Sequence, residues 1–368
     1  MTLEDVRQKI DEIDGKLLPL FEERMDCSKE VARIKKGKGI PILNEAREQA
    51  ILEKISKKAR AYPNEARVLY SAIMSISRGL QHELLESGET LRRTLEEAGE
   101  PPASAEEAAV FGAPGSFSHE AAKKLLPGAS PLFFPTFPEI FQAVDEGKAA
   151  FGILPVENSS AGSVEQVYDL ILKYRFYIVG AETLYIHHCL CGEPGKTFQK
   201  VYSHPQALSQ CSELISQMNL SACACSSTAE APLLAKKEGQ AAICSEEAAQ
   251  KAGLPILQKD VQNNSNNCTR FIQISRKLYI PRDAGKISLC FSLPHTTGSL
   301  NSVLSRFAQA GLNLTKIESR PIPGSRFEYD FYLDFSGNVR EPHTLKLLCS
   351  LSAELPRFSF LGNYTEED

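Results

Sequence analysis

No apolar run in this 368-residue chain is long enough to cross a bilayer, so no membrane-spanning helix is expected. No stretch is strongly basic and the net charge is −5, which argues against a nucleic-acid partner. The N-terminus, Met1-Thr2-Leu3-Glu4-Asp5, is acidic and leads straight into a helical pattern. No signal peptide is therefore expected, and a cytoplasmic location is. Ten cysteines are present, but not at metal-ligand spacing. The closest pairs, Cys189/Cys191 and Cys223/Cys225, lie in strand-like runs whose alternation points both thiols to one face. Without a matching second pair this is a weak zinc signal, and free thiols in a reducing compartment are the better reading. Nothing calls for a metal or a cofactor.

What is present suits two or three globular domains: 42% hydrophobic and 24% charged residues over 368 positions. Residues 1–88 read as all-helical. Val6, Ile10, Ile13 and Leu17 recur every three or four residues, the mark of one apolar helix face. That helix runs towards Ile34, with Pro19 expected to kink it or remove a hydrogen bond, and it ends at Gly37-Lys38-Gly39. A second helix starts near Asn44, a suitable N-cap. A third follows Pro63, with Leu69, Ile73, Ile76, Leu80 and Leu84 as its apolar face and Gly88 as its expected stop. Arg7, Arg24, Lys35 and Arg47 either lie on solvated surface, as most cations do, or face a bundle interior. Ser77 and Gln81, four apart, share a face. Arg7 and Arg24 are roughly 25 Å apart along a straight helix, so one small anion touches both only if a second copy supplies one of them.

This segment resembles the all-helical chorismate mutases. The likeness is carried by Val6-Arg7-Gln8-Lys9-Ile10-Asp11-Glu12-Ile13-Asp14, Glu23-Arg24, Val31-Ala32-Arg33-Ile34-Lys35, Arg47-Glu48, and Ser77 with Gln81. Asn44 departs from the family's frequent acid. The resemblance implies that Arg7, Arg24 and Arg47 hold the carboxylates of chorismate, one arginine coming from a partner chain. Glu48 and Ser77 join the substrate-binding set, and Lys35 and Gln81 bond the ether oxygen. The rearrangement to prephenate moves no proton, so it needs a compact substrate conformer and donors aimed at the oxygen that gains charge.

Residues 89–107 are charged, then rich in Pro and Ala, and read as a helix extension and linker. From 108 the period changes. Short apolar strands alternate with helices, which argues for a mostly parallel sheet in two lobes with a cleft. Ala109–Gly112 opens on Ala113-Pro114-Gly115-Ser116-Phe117-Ser118, where backbone N–H groups and hydroxyls suit a carboxylate. The Lys-Ser/Thr ending of a triphosphate loop is missing. Ala150–Leu154 opens on Pro155-Val156-Glu157-Asn158-Ser159, and Ser203-His204-Pro205-Gln206 starts a helix carrying Gln210. Ser226-Ser227-Thr228 and Ser245 each read as the cap of a further helix. A helix-entry His such as His204 is more often structural than a base. A polar run, Asn263-Asn264-Ser265-Asn266-Asn267-Cys268, stops at Thr269-Arg270-Phe271, where an apolar alternation begins. It contains a formal glycosylation sequon. This is either a polar loop entering a core strand or a loop delivering a hydroxyl and a guanidinium to a strand mouth.

Residues 108–284 resemble the prephenate dehydratases. The likeness rests on the ordered set Gly115-Ser116-Phe117-Ser118, Pro155–Ser159, Ser203–Leu208 and Thr269-Arg270-Phe271. It implies two α/β lobes around prephenate, with Thr269 donating a hydrogen bond to the ring hydroxyl that leaves as water. Aromatisation drives the loss of water and CO2, so a modest acid within a polarised network suffices. Ser116, Glu157, Asn158, Ser203, Gln210 and Phe271 are the expected companions. Arg270 pairs with a substrate carboxylate or braces the loop.

Residues 285–368 follow the order βαββαβ, the ferredoxin-like arrangement. They resemble the amino-acid-binding regulatory domain called ACT, with Gly298-Ser299-Leu300 and Glu318-Ser319-Arg320-Pro321 in place of the motifs that bind L-phenylalanine. Ser299 replaces a usual Ala and Thr297 a frequent Pro. The expected whole is therefore multidomain: an all-α mutase, a two-lobed α/β dehydratase and a βαββαβ regulator, assembled as a homodimer or higher homo-oligomer. A non-catalytic ligand-binding middle domain, a helical domain that only dimerises, and a C-terminal domain that is purely structural are the competing readings.

Overall fold

The computed structural model describes residues 1–102, 106–322, 324–325 and 328–367. Ala103–Ala105, towards the end of the expected linker, and Phe327 at the expected start of a strand lie outside the described residues.

Helix α1 (Leu3–Lys38) begins in a capping box: Thr2 Oγ1 accepts from Asp5 N at 3.2 Å, and the Asp5 carboxylate accepts from Thr2 N at 2.6 Å. It passes Pro19 as one helix and ends at left-handed Gly39. Proline costs one rung there, and the many remaining turns carry the helix through. Asn44 caps α2 (Glu45–Lys58), its Oδ1 accepting from Arg47 N at 3.0 Å. Helix α3 (Pro63–Leu84) stops before Gly88, which instead sits at the N-terminus of α4 (Glu89–Glu96). The expected apolar faces are not the buried ones. Val6, Ile10, Ile13, Leu17 and Leu69 are exposed, whereas α3 buries Met74, Ser75, Ser77, Arg78, Gln81 and His82.

The α/β part starts with β1 (Glu107–Phe111), α5 (Phe117–Leu125), β2 (Ser130–Phe134), α6 (Phe137–Asp145), β3 (Phe151–Asn158), β4 (Gly162–Ser163), α7 (Glu165–Tyr174) and β5 (Tyr177–Tyr185). A second lobe follows: β6 (Cys189–Cys191), β7 (Lys200–Ser203), α8 (Pro205–Gln210), α9 (Ser212–Gln217), β8 (Ser221–Ala224), α10 (Ala231–Glu238), β9 (Ala241–Cys244), α11 (Glu246–Ala252) and β10 (Ile256–Gln258). Strand β11 (Cys268–Ser275) then returns to the first lobe and inserts between β5 and β3, antiparallel to both. The sheet is therefore mixed rather than mostly parallel, because the chain re-enters it from the far lobe. Strand β11 is buried from Thr269 to Ser275, as a central strand covered on both faces must be. Ser245 caps α11, accepting from Ala248 N at 3.1 Å, whereas α10 starts at Ala231, later than its serines suggest.

The last part is β12 (Lys286–Ser292), α12 (Ser299–Gln309), β13 (Leu314–Pro321), β14 (Tyr329–Ser336), α13 (Pro342–Glu354) and β15 (Ser359–Tyr364), followed by β16 (Glu366–Glu367). Among the described residues the sheet orders are β16-β5-β11-β3-β1-β2 with β4 beside β3, then β10-β6-β9-β7-β8, then β13-β14-β12-β15. Backbone contacts gather residues 1–97 with 289–359 in one compact unit and residues 98–288 with 360–368 in another. The final residues thus group with the α/β part, although a boundary at 285 assigns them to the C-terminal domain.

Candidate active sites

Within the first unit, the second half of α1, the first turn of α2 and the end of α3 bring polar groups together. Ser77 Oγ donates to Ser28 Oγ at 2.6 Å, and Gln81 Nε2 donates to Ser77 Oγ at 3.4 Å. Lys35 Nζ donates to Ile42 O at 2.5 Å. Burial, then the nearby Arg47 guanidinium, lowers the Lys35 pKa, with Glu48 opposing. Arg24 Nη1 and Gln81 Oε1 are buried without a hydrogen-bond partner among the described residues. Buried polar atoms in that condition are uncommon. Arg7 stands apart on the exposed first turns of α1, 3.7 Å from Glu4.

Sequence reasoning did not single out Arg78. Its Nη1 reaches both Glu48 carboxylate oxygens at 2.6 Å, and its Nε lies 3.5 Å from Glu354 on α13. Glu354 also pairs with His82 at 2.5 Å and Arg306 at 2.8 Å. Burial pushes the Glu354 pKa up, but His82, Arg306 and Arg78 outweigh it and hold the carboxyl below its ordinary value. The available signal was position, since Arg78 follows Ser77 on the face that α3 buries.

In the second unit a cleft of about 690 Å³ opens between the two lobes. Ser116, Asn158, Gln210, Thr269 and Phe271 line it, as expected. Among these, Asn158 is 7% exposed at the end of β3. Asn158 Nδ2 donates to Thr269 Oγ1 at 2.8 Å and to Cys268 O at 3.0 Å. Its Oδ1 accepts from the backbone N–H groups of Ser160 and Ala161, both at 3.0 Å. A hydroxyl that accepts from an amide keeps its own proton for another acceptor, so Thr269 is set as a donor. On the opposite wall, His188 Nε2 lies 3.1 Å from Gln210 Oε1. Burial lowers the His188 pKa, with the Gln210 bond opposing, so the ring stays neutral at pH 7 and donates to Gln210. The Gln210 amide group is then left as a donor. His188 was missed because a histidine inside an apolar strand-like run carries no motif.

The Gly115 loop reaches the other lobe. Ser245 Oγ donates to Gly115 O at 2.8 Å, and a Cβ on Gly115 would meet Ala248 Cα at 3.1 Å on a left-handed backbone. Only glycine fits that approach without strain. Ser116 Oγ accepts from His119 N at 3.3 Å as the cap of α5. His204 likewise caps α8, accepting from Gln206 N at 3.3 Å, although it also lines the cleft.

Three expected companions lie outside that lining. Ser203 is fully buried and donates to Ile243 O at 2.6 Å, so it ties β7 to β9. Glu157 lies on β3 between two cleft-lining positions, Pro155 and Asn158, but does not line the cleft itself. Arg270 follows Thr269 on a strand, where successive side chains point oppositely. Its guanidinium meets Tyr364 and Glu366, so of the two roles expected for it the brace is the one the geometry supports.

In the C-terminal segment, a cavity of about 300 Å³ is lined by Leu293, His295, Thr297, Ser299, Tyr329 and Phe331 among others. Gly298 starts α12 with φ of 85°. Gly298 and Leu300 flank this cavity in sequence without lining it, and Glu318, Ser319, Arg320 and Pro321 lie on β13, paired with β14. On that ladder Ser319 is opposite Phe331 and Pro321 opposite Tyr329, two residues that line the cavity.

Comparison with known proteins follows this division. The family models for chorismate mutase type II and prephenate dehydratase match residues 6–82 and 108–278. The bifunctional chorismate mutase/prephenate dehydratase of Aquifex aeolicus is 30% identical over 98% of this chain and 97% of its own length. Arogenate dehydratase 3 of Arabidopsis thaliana is 37% identical over 70% of this chain and 66% of its own. The solved prephenate dehydratase of Arthrobacter aurescens, in complex with L-Phe, is 29% identical with a TM-score of 0.64, covering 70% of this chain and 90% of its own. With a helical mutase segment and a two-lobed α/β dehydratase in one polypeptide, this chain belongs to the bifunctional chorismate mutase/prephenate dehydratases.

Proposed function

We propose that Thr269 is the proton donor of the dehydratase. In this reading prephenate lies in the cleft with its ring hydroxyl on Thr269 Oγ1, and Asn158 polarises that hydroxyl. Gln210, fixed by neutral His188, and Ser116 orient the substrate carboxylates. Ring aromatisation drives loss of water and CO2, so a threonine held in a hydrogen-bonded chain is a sufficient acid. The observation that carries the reading is the 2.8 Å contact from Asn158 Nδ2 to Thr269 Oγ1, which leaves the threonine proton for the substrate.

The mutase reaction is assigned to Arg24, Lys35, Arg47, Glu48, Ser77 and Gln81 of one chain with Arg7 of a second. Its catalysis is electrostatic: Lys35 and Gln81 stabilise the ether oxygen as its bond breaks. The exposed apolar residues Val6, Ile10, Ile13 and Leu17, and the buried unpartnered Arg24 Nη1 and Gln81 Oε1, support a homodimer in which a second α1 covers them.

The C-terminal segment reads as a ferredoxin-like ACT domain that binds L-phenylalanine and inhibits the dehydratase. Its βαββαβ order and the L-Phe in the Arthrobacter aurescens relative support this. The effector sits beside Ser299, and Glu318–Pro321 completes the site across a seam between two chains. One coupled assay tests the whole: chorismate supplied, phenylpyruvate measured, with and without phenylalanine. Chorismate consumed without phenylpyruvate, or a rate unchanged by millimolar phenylalanine, removes the corresponding part.

A further inference from the structure

The strand that carries Thr269 is gripped by the end of the chain. Arg270, 9% exposed, has its Nε 2.5 Å from Glu366 Oε1, and its Nη2 donates to Tyr364 Oη at 2.5 Å. Tyr364 is fully buried, and its hydroxyl lies 2.7 Å from Ser288 Oγ. Lys286 also pairs with Glu366, so one carboxylate faces two cations. Strand β16 adds itself in parallel to β5, Glu366 opposite Ala181, and Ala181 N donates to Thr365 O at 3.0 Å. Strand β5 in turn pairs with β11, Arg270 opposite Thr183 and Thr269 opposite Leu184.

The grip falls at an irregular point of the sheet. Along β3, Arg270 pairs with Glu157 but Phe271 pairs with Pro155, so Val156 is skipped and β3 bulges there. A bulge re-aims the side chains beside it, and its direction is set by what pins the flanking residues. Arg270 and Glu157 flank this bulge, and Thr269 and Asn158 form the next pair along the ladder. On one side of it the cleft is open, and on the other Arg270 is anchored through charge and a buried phenol. A guanidinium this buried demands such partners, and removing the Glu366 charge weakens its compensation.

We propose that Glu366 and Tyr364 are positioning residues of the dehydratase. They clamp Arg270 at the bulge and thereby fix the direction in which Thr269 presents its hydroxyl. The inference rests on Thr269 being the donor. Tyr364 ends β15 of the four-stranded sheet and Glu366 starts β16 of the catalytic sheet, with Thr365 alone between them, so one short stretch of chain serves both sheets.

The test uses the full chain and both activities, with Thr269→Val alongside. Glu366→Gln and Tyr364→Phe are expected to lower dehydratase kcat about ten-fold or more, with KM changed less than about two-fold, since a misaimed donor slows chemistry more than binding. Mutase turnover is expected to stay unchanged. Glu366→Asp is expected to recover most of the loss. Arg270→Gln combined with Glu366→Gln is expected to be no worse than Arg270→Gln alone, because the two act as one unit. Wild-type kcat in Glu366→Gln and Tyr364→Phe, beside an inactive Thr269→Val, overturns the clamp alone. So does a loss that follows the unfolded fraction seen in thermal melts and that Glu366→Asp does not relieve. Normal turnover by Thr269→Val overturns the donor reading instead, and with it the group said to be aimed.

Discussion

The helical site and the cleft differ in what one chain provides. In the cleft the key groups are already bonded to one another. Asn158 is satisfied on both its amide atoms, and Gln210 is fixed by His188. In the helical segment Arg24 and Gln81 keep buried atoms without partners, Arg7 lies on exposed turns, and the apolar stripe of α1 faces outward. A site for bond cleavage with proton transfer needs an aimed donor, which one folded domain supplies from its own sheet. A site for a pericyclic rearrangement needs cations around a small dianion, and a long helix spreads its cations too far apart to do that alone. That incompleteness within one chain is what the proposed shared site rests on.

The largest effect that sharpens this contrast is at Thr269. Thr269→Val keeps the shape and removes the hydroxyl; dehydratase turnover is expected to fall by about two orders of magnitude or more, with mutase turnover intact. Steady-state rates on prephenate and chorismate check it, and normal prephenate turnover ends the donor role. The next effect breaks or upholds the shared site. Arg7→Ala and Arg24→Ala chains are each expected to lose mutase activity. When mixed, they should regain about a quarter of the wild-type value, because half the dimers are mixed and each carries one intact site. No recovery once subunit exchange is demonstrated overturns the shared site.

A third variant addresses regulation. Gly298 has φ of 85°, and a Cβ there meets nothing within 4 Å, so Gly298→Val strains the turn into α12 without a clash. Phenylalanine inhibition is expected to weaken at least about ten-fold while uninhibited dehydratase turnover is kept, the scale of a usual coupling energy. A phenylalanine titration of the rate reads it. Truncation at 285 is a poorer test of the same point, because it also removes Tyr364 and Glu366 from Arg270.

The smallest effect concerns His188. Its folded-state pKa is lowered by burial, so the folded chain binds fewer protons than the unfolded one. Stability from this group is full above the unfolded-state value of 6.5 and falls as pH drops below it. Between the unfolded and folded values the loss is at most about 1.4 kcal/mol per pH unit. Thermal melts from pH 7.5 to 5.5 should show a steeper fall for the wild type than for His188→Gln; equal slopes would mean that burial does not lower the His188 pKa.

The positions of the first three helices, the caps at Asn44 and Ser245, the strand entered at Thr269 and the order of the C-terminal elements were legible in the sequence, because each depends on neighbours a few residues away. The cleft set was legible only in part. Asn158, Gln210 and Thr269 sit in motifs, whereas His188 is a histidine among apolar residues that matters only because Gln210 lies opposite. Ser203 shares a motif with a cleft residue yet spends its hydroxyl on Ile243 O.

What the sequence by itself determined is the division into helical and α/β segments and the chemistry of each, since period and residue type are local properties. Only the tertiary structure decided that β11 returns antiparallel between β3 and β5, that Arg270 turns from the cleft to Glu366, and that Arg78 links Glu48 to Glu354. Each of these joins residues tens to hundreds of positions apart. The pairing of a buried charge is settled by which opposite charge the fold brings within reach, and no local pattern encodes that distance.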